Sequence, residues 1–273
     1  MISAKIIEDS TCTHGKRLTT FELCYPRFIH SEFMTHRVFS RNSMSSRAVP
    51  VAKMIEQVRT NPAMPIHWGL NKKGMQAAGV ITDTMEAEQQ WRRAARQAAD
   101  CAEALSAIGL HKQVANRILE PFQWMRTIVT ATEWDNFFAL REHPDAQPEF
   151  HALANAMHVA MNDSTPVNRG RPGYSSDVSA WHLPYILPGE REYYLGKVLP
   201  KLSAARCARV SYLTHDGCNP TVDADLALFE RLVGADPQHA SPVEHQAYPA
   251  TEKTTTSGNF CGWVQYRQVW NKS

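Results

Sequence analysis

Residues 35–47 read THRVFSRNSMSSR, which puts one histidine, three arginines, four serines and an asparagine into thirteen positions. Val38, Phe39 and Met44 are too few to form an apolar helix face. The run also lacks the carboxylates that a plain surface helix mixes with its cations. Arginine forks match phosphate or carboxylate bidentately, and serine hydroxyls with loop amides add further donors. The stretch therefore predicts a binding place for an anion such as a nucleotide phosphate or a dinucleotide cofactor. The alternative reading is the solvated end of a basic helix.

Working outward, SAKIIEDS (3–10) and LTTFELCYPRF (18–28) predict two strands, with Pro26 near the end of the second. FIHSEFMTHRVF (28–39) repeats apolar residues at helical spacing, so the arginine-serine run is expected to begin on a helix and continue into a loop broken at Pro50. Residues 61–80 are irregular. Thr82 or Asp83 caps a long helix reaching Ile108, with Gly109 as its stop. A second helix is expected over LHKQVANRILEPFQWM (110–125), a turn into another over TIVTATEWDNFFALR (127–141), and one more over EFHALANAMHVAM (149–161). Residues 162–189, rich in proline and glycine, are a linker or lid candidate. SAARCARVSYLT (203–214) resembles a strand or helix edge, DADLALFERLV (223–233) an amphipathic helix, and HASPVEHQAYPATE (239–252) a strand after a loop.

Composition narrows the function. With 29 basic against 27 acidic residues the net charge is +2, too balanced for a protein that lives on long nucleic acid. No apolar run approaches the roughly 18 residues of a membrane span. The opening MISAKIIEDSTC has no basic segment followed by an apolar one, which predicts a cytoplasmic location. Six scattered cysteines without a C-x-x-C pair predict reduced thiols rather than a zinc site or disulfide framework.

Arg117 in HKQVANRILEP and Arg141 in NFFALR interrupt apolar stretches. Each needs an anionic partner or a water-filled cleft, because burying a lone guanidinium is costly; a snorkelling surface arginine is the alternative. HASPVEH carries His239, Ser241, Glu244 and His245, but Pro242 opposes a continuous helix and H-E-x-x-H is absent. A ligand-facing loop is therefore expected there and no metal. The glycine-rich dinucleotide, P-loop and nucleophile-elbow motifs are all missing.

Taken together, these segments resemble the flavin-dependent thymidylate synthases, whose signature runs R-H-R-x-x-S-x-N-E-x-S-x-R. His36, Arg37, Ser40, Asn42, Ser45 and Arg47 fall in register. FELCYPRF, VANRILEP and NFFALR resemble further family segments. SAARCARVSY and HASPVEHQAY resemble two that usually precede the signature but follow it here, as in a rearranged or circularly permuted member. Thr35 replaces the first arginine of the signature and Ser43 its glutamate.

The resemblance implies an α/β (α+β) fold with a central, mostly antiparallel sheet and flanking helices, as one domain over 1–273 with irregular insertions near 61–80 and 162–189. It also implies a homotetramer with active sites built from several subunits, FAD as cofactor, and methylenetetrahydrofolate and NADPH as co-substrates. The reaction would convert dUMP to dTMP. By the same resemblance Arg141 activates the base, and Arg47 and Arg117 clamp the 5′-phosphate. Ser43, Met44, Ser45 and Ser46, with Gln265 and Arg267 near the C-terminus, line the nucleotide; Arg267 stands in for a lost cation. His36, Arg37, Asn42, Asn136, His239, Ser241 and Glu244 contact the flavin. Two alternatives stay open: hydroxymethylation of dUMP or dCMP, and a non-catalytic nucleotide-binding homologue.

Overall fold

Two nine-residue strands, β1 (Ser3–Thr11) and β2 (Leu18–Pro26), open the chain as an antiparallel pair. The computed structural model describes residues 1–170, 177–194, 196–210 and 220–270. β3 (Ser40–Ser43), β4 (Trp124–Ala131) and β5 (Val167–Asn168) complete a five-stranded sheet in the order β3-β4-β2-β1-β5. Every pairing is antiparallel except β1 with β5.

Strand alternation sorts the side chains onto two faces. Phe21, Leu23 and Tyr25 of β2 and Met125 and Val129 of β4 point one way, against helices α3 (Asp135–Arg141) and α4 (Pro148–Asn162). Phe33, Phe39, Phe137 and Phe150 fill that layer, all essentially unexposed. Each ring buried there contributes on the order of 1.5–3 kcal/mol. On the opposite face lie α5 (Val198–Ala208) and α6 (Val222–Val233), packed on Trp181, Leu183, Val243 and Tyr266. A third cluster joins α1 (Val51–Thr60) to the 24-residue α2 (Thr84–Ala107) through the small face Ala95, Ala98, Ala99 and Ala102. Asp83 caps α2 by accepting from the Glu86 amide at 2.8 Å, and Gly109 ends it at φ +87°.

Several expectations change. The arginine-serine run is not a helix running into a loop: the helix stops at Phe33, and residues 40–43 form the edge strand β3. Its cause is tertiary, since Phe33 and Phe39 enter the core while β3 pairs with β4. The Arg41 guanidinium holds the helix end by donating to the carbonyls of Met34 (2.8 Å) and His36 (3.1 Å). The helix expected over 110–125 is a single turn, Lys112–Ala115, then a 3-10 segment, Asn116–Phe122. Pro121 lacks the amide a helix needs, and from Trp124 the chain is already β4. Of the two readings of SAARCARV, strand or helix edge, the helix one holds, since it closes α5, while residues 211–214 of that stretch lie outside the described residues, as do 171–176 of the lid candidate. Residues 61–80 hold one small ladder, Gly69–Leu70 with Ala78–Val80. No helix among the described residues is long and apolar enough to cross a membrane.

A file of buried polar groups crosses the sheet. Ser10 Oγ meets His182 Nδ1 at 2.8 Å, His182 Nε2 meets Thr20 at 2.8 Å, Thr20 meets Thr130 at 2.7 Å, and Thr130 meets His245 Nδ1 at 2.8 Å. Burial keeps both histidines neutral: the pKa of His245 is lowered to about 3, and that of His182 falls well below its ordinary value through burial and then Arg169 and Arg191. A folded pKa below the unfolded value of about 6.5 gives stability that is complete above that pH and lost as pH falls. The expected loss is about 1.4 kcal/mol per pH unit for each histidine kept neutral. Urea midpoints measured from about pH 8 down to about pH 5 should drop steeply below pH ~6.5. A flat profile across that range refutes the assignment.

Candidate active site

The β3 edge is where distant segments meet. Asn42 Nδ2 donates to the Cys207 carbonyl at 2.7 Å, and Ser241 Oγ donates to Asn42 Oδ1 at 3.4 Å. Gln265, only 2% exposed, donates to Ser40 Oγ at 3.1 Å and to the Glu244 carbonyl at 3.0 Å. Arg267 pairs with the Glu244 carboxylate. Asn42, Ser241, Glu244, Gln265 and Arg267 therefore form one cluster on the signature strand. Arg41 lies within the field of Glu244, although burial is the larger influence and lowers the arginine's pKa. His245 of HASPVEH turns into the interior, Glu244 is held by Arg267 and His239 is exposed, so the segment presents no metal-ligand set.

On its other face β3 presents Ser43, whose oxygen accepts from Thr127 Oγ1 at 2.9 Å. Tyr25 OH joins Thr127 at 2.8 Å and His30 Nδ1 at 2.9 Å. Because Thr127 spends its hydrogen on Ser43, Tyr25 donates to Thr127 and the imidazole N–H donates to Tyr25. Burial, then Arg27 and Arg41, hold the His30 pKa at about 4, so this imidazole is neutral. A hydroxyl chain thus ends where the family signature has a glutamate. Met44 packs beside it between two core clusters.

Past the strand, Ser45, Ser46 and Arg47 turn towards the 3-10 segment. Asn116 Nδ2 donates to the carbonyls of Ser46 (2.7 Å) and Val49 (3.0 Å). Glu120 Oε1 gathers Arg117 Nη1 (2.8 Å), Arg27 Nη2 (2.9 Å) and Ser46 Oγ (3.3 Å). Arg117 is therefore tied to the signature through one carboxylate. Arg47 is exposed, its amide donating to Ser45 Oγ at 3.3 Å, and its guanidinium has no side-chain partner among the described residues.

Before the strand lies Arg141, the last residue of α3. Its Nε donates to His36 Nε2 at 3.0 Å, its Nη1 to Glu32 Oε2 at 3.2 Å, and its plane covers the Phe150 ring at 4.3 Å. His36 is neutral, its pKa held at about 4 by burial and by Arg141 and Arg41. Arg141 thus has the anionic partner its apolar surroundings demanded. Arg141 and Arg117 bind different carboxylates, Glu32 and Glu120, and no hydrogen bond or ion pair among the described residues joins the two groups directly. Arg37, Asn136 and His239 are exposed and make no side-chain contact with the clusters among the described residues.

Sequence reasoning missed Glu32, Glu120 and Asn116, and it read Arg41 as an anion ligand although its guanidinium is spent on the carbonyls of Met34 and His36. Glu120 was readable as the i+3 neighbour of Arg117. Glu32 was not, since 109 residues separate it from Arg141.

Fold and family match together define a thymidylate synthase-like methyltransferase built on a mostly antiparallel sheet. Residues 16–167, more than half of the chain, match the family model of thymidylate synthase complementing proteins, and the chain belongs to that family, the flavin-dependent thymidylate synthases. HASPVEH lies beyond the matched residues. Among solved structures, the chain is similar to a UMP/dUMP methylase, PolB from Streptomyces cacaoi, bound with 5-Br dUMP. The TM-score is 0.50 and the identity 18%, over 59% of this chain and 90% of that one. The same methylase bound with 5-Br UMP gives a TM-score of 0.50 at 19% identity, over 59% and 88% of the two chains. No curated protein sequence matches the chain.

Proposed function

We propose that the protein transfers a one-carbon unit from methylenetetrahydrofolate to C5 of a deoxypyrimidine monophosphate, with FAD as redox group and NADPH as reductant. The observation that carries this reading is the convergence on β3: the signature's Asn42, HASPVEH and the Gln265–Arg267 stretch meet there although they are up to 225 residues apart. The family's substrate, dUMP, going to dTMP, is the default. Hydroxymethylation is the second reading, since Ser43 puts a hydroxyl chain where the family has a carboxylate.

The residues present suit an anionic dinucleotide and a nucleotide phosphate. Arg37 and Arg47 are exposed and carry no carboxylate partner among the described residues. FAD would be held by His36, Arg37, Asn42, Asn136, His239, Ser241 and Glu244, and when bound it supplies the hydride chemistry. Arg47 and Arg117 would grip the 5′-phosphate, with Ser45 and Ser46 orienting it. Arg141 would stabilise the charge that builds on the base carbonyl and N3 as C5 attacks the one-carbon unit. As in the family, the proposed site would be built from several subunits of a homotetramer.

One assay tests the reading. The protein is incubated with FAD, methylenetetrahydrofolate and dUMP or dCMP, with and without NADPH, and the product is weighed by mass spectrometry. A methylated nucleotide that requires NADPH supports methyl transfer, and an oxygen-bearing one formed without net reductant supports hydroxymethylation. A protein that takes up no flavin and forms neither product defeats both and leaves nucleotide binding alone.

A further inference from the structure

Glu120 has more positive charge around it than one carboxylate can balance. Its Oε1 takes Arg117 Nη1 at 2.8 Å, Arg27 Nη2 at 2.9 Å and the hydroxyl of buried Ser46 at 3.3 Å. Two guanidiniums from distant segments thus share a single oxygen. The turn that carries Ser46 brings two more cations. Its Ala48 N–H donates to the Ser45 carbonyl at 3.0 Å, and Lys112 Nζ donates to the Ala48 carbonyl at 3.1 Å. Arg47 stands within the turn and is exposed. Neither Arg47 nor Lys112 has a carboxylate partner among the described residues.

Four cations against one acid call for an anion or for solvent, because like charges held together oppose one another. The Arg117 side chain is 54% exposed and that of Glu120 25%, so the place is open to a solute. Most of the donors are also unspent. Arg117 and Lys112 each commit one N–H, and Arg27 adds to its Glu120 bond only a long contact to Met125 Sδ at 3.5 Å. A phosphate monoester carries close to two negative charges at neutral pH and offers three acceptor oxygens. It suits this surplus better than a sugar hydroxyl or a singly charged carboxylate does.

We infer that Arg27 and Lys112 are further phosphate-binding residues, which join Arg47 and Arg117 around the 5′-phosphate of the pyrimidine nucleotide. Glu120 is the positioning residue that holds two of the guanidiniums side by side. The inference deepens the proposed function and rests on it for the identity of the nucleotide. The family resemblance implied neither Arg27 nor Lys112. With them the site favours a nucleoside monophosphate strongly over the free nucleoside, since the phosphate supplies the charge that the four cations lack.

The test is titration of the FAD-loaded protein with dUMP and, separately, with inorganic phosphate. It compares the wild type with Arg27→Gln, Lys112→Gln and Glu120→Gln. Loss of one hydrogen bond to a charged group should weaken both ligands about tenfold in each of the first two variants. Glu120→Gln keeps an acceptor for the arginines and removes the charge that opposes phosphate, so affinity for both ligands should hold or rise. A purely structural role would lower the thermal midpoint without moving phosphate affinity. Lys112 is only half-buried, so its variant is expected to fold. Affinities unchanged in either cation variant, or weakened in Glu120→Gln, overturn the inference and leave the nucleotide site standing. Phosphate binding that needs both residues, in a protein that takes up no dUMP, supports the anion site and defeats the nucleotide reading. Binding of neither ligand by the wild type overturns both.

Discussion

Replacing Arg141 with lysine is expected to lower kcat about 10²–10³-fold, the cost typical of removing one preorganised donor from a developing oxyanion. Lysine keeps the charge but not the fork. A single ammonium cannot hold His36 Nε2 at 3.0 Å and Glu32 Oε2 at 3.2 Å while lying flat on Phe150, so its direction is no longer set. Because the lost interaction belongs mainly to the transition state, kcat should fall more than nucleotide affinity does. Single-turnover product formation, measured beside nucleotide binding, separates the two. Retention of more than about a tenth of wild-type turnover would place the base elsewhere. Mixing Arg141→Lys with Arg117→Ala protomers should restore part of the activity if each site borrows from a neighbouring subunit.

Asp225→Ala should be the most damaging substitution for stability. Asp225 is fully buried at the start of α6, with Oδ2 accepting from Arg206 Nε at 3.0 Å and Oδ1 from Arg209 Nε at 2.7 Å. Arg206 reaches on to Glu190, each Nη at 2.6 Å from a carboxylate oxygen, which raises the arginine's pKa and lowers that of Glu190. This network joins α5, α6 and the helix Pro188–Tyr193 into the layer that supports HASPVEH. Removing one partner of a buried ion pair costs about 3–5 kcal/mol, because the remaining charges lose compensation without regaining water. For a chain of this size the thermal midpoint should fall by on the order of 10 °C. A drop of only a degree or two would mean that the arginines find other partners.

Much of the chemistry was readable in short stretches. Alternation announced β1 and β2, and an acidic cap with a terminal glycine bounded α2. Arg117 and Arg141, stranded among apolar neighbours, called for the carboxylates they do have in Glu120 and Glu32. HASPVEHQAYPATE was expected as a strand after a loop, and it is a 3-10 turn over Ser241–Glu244 followed by a strand over Ala247–Pro249. These features depend on periodicity, capping and charge within a few residues, which any window of the chain displays.

Other features depend on partners that the chain supplies from far away. Residues 40–43 carry no strand pattern of their own; they are a strand because β4, more than eighty residues later, offers an edge. His182 is held in the interior by Ser10 and Thr20, 172 and 162 residues distant, and burial there keeps it neutral. Glu32 faces Arg141 only once α3 and α4 close over the Phe33–Phe150 layer. Closing such loops costs conformational entropy that the buried core repays collectively, so no local stretch encodes the outcome. Residue types and their near neighbours thus specified an anion-binding, arginine-rich chemistry. Which carboxylate stands beside which guanidinium follows from how the distant pieces pack.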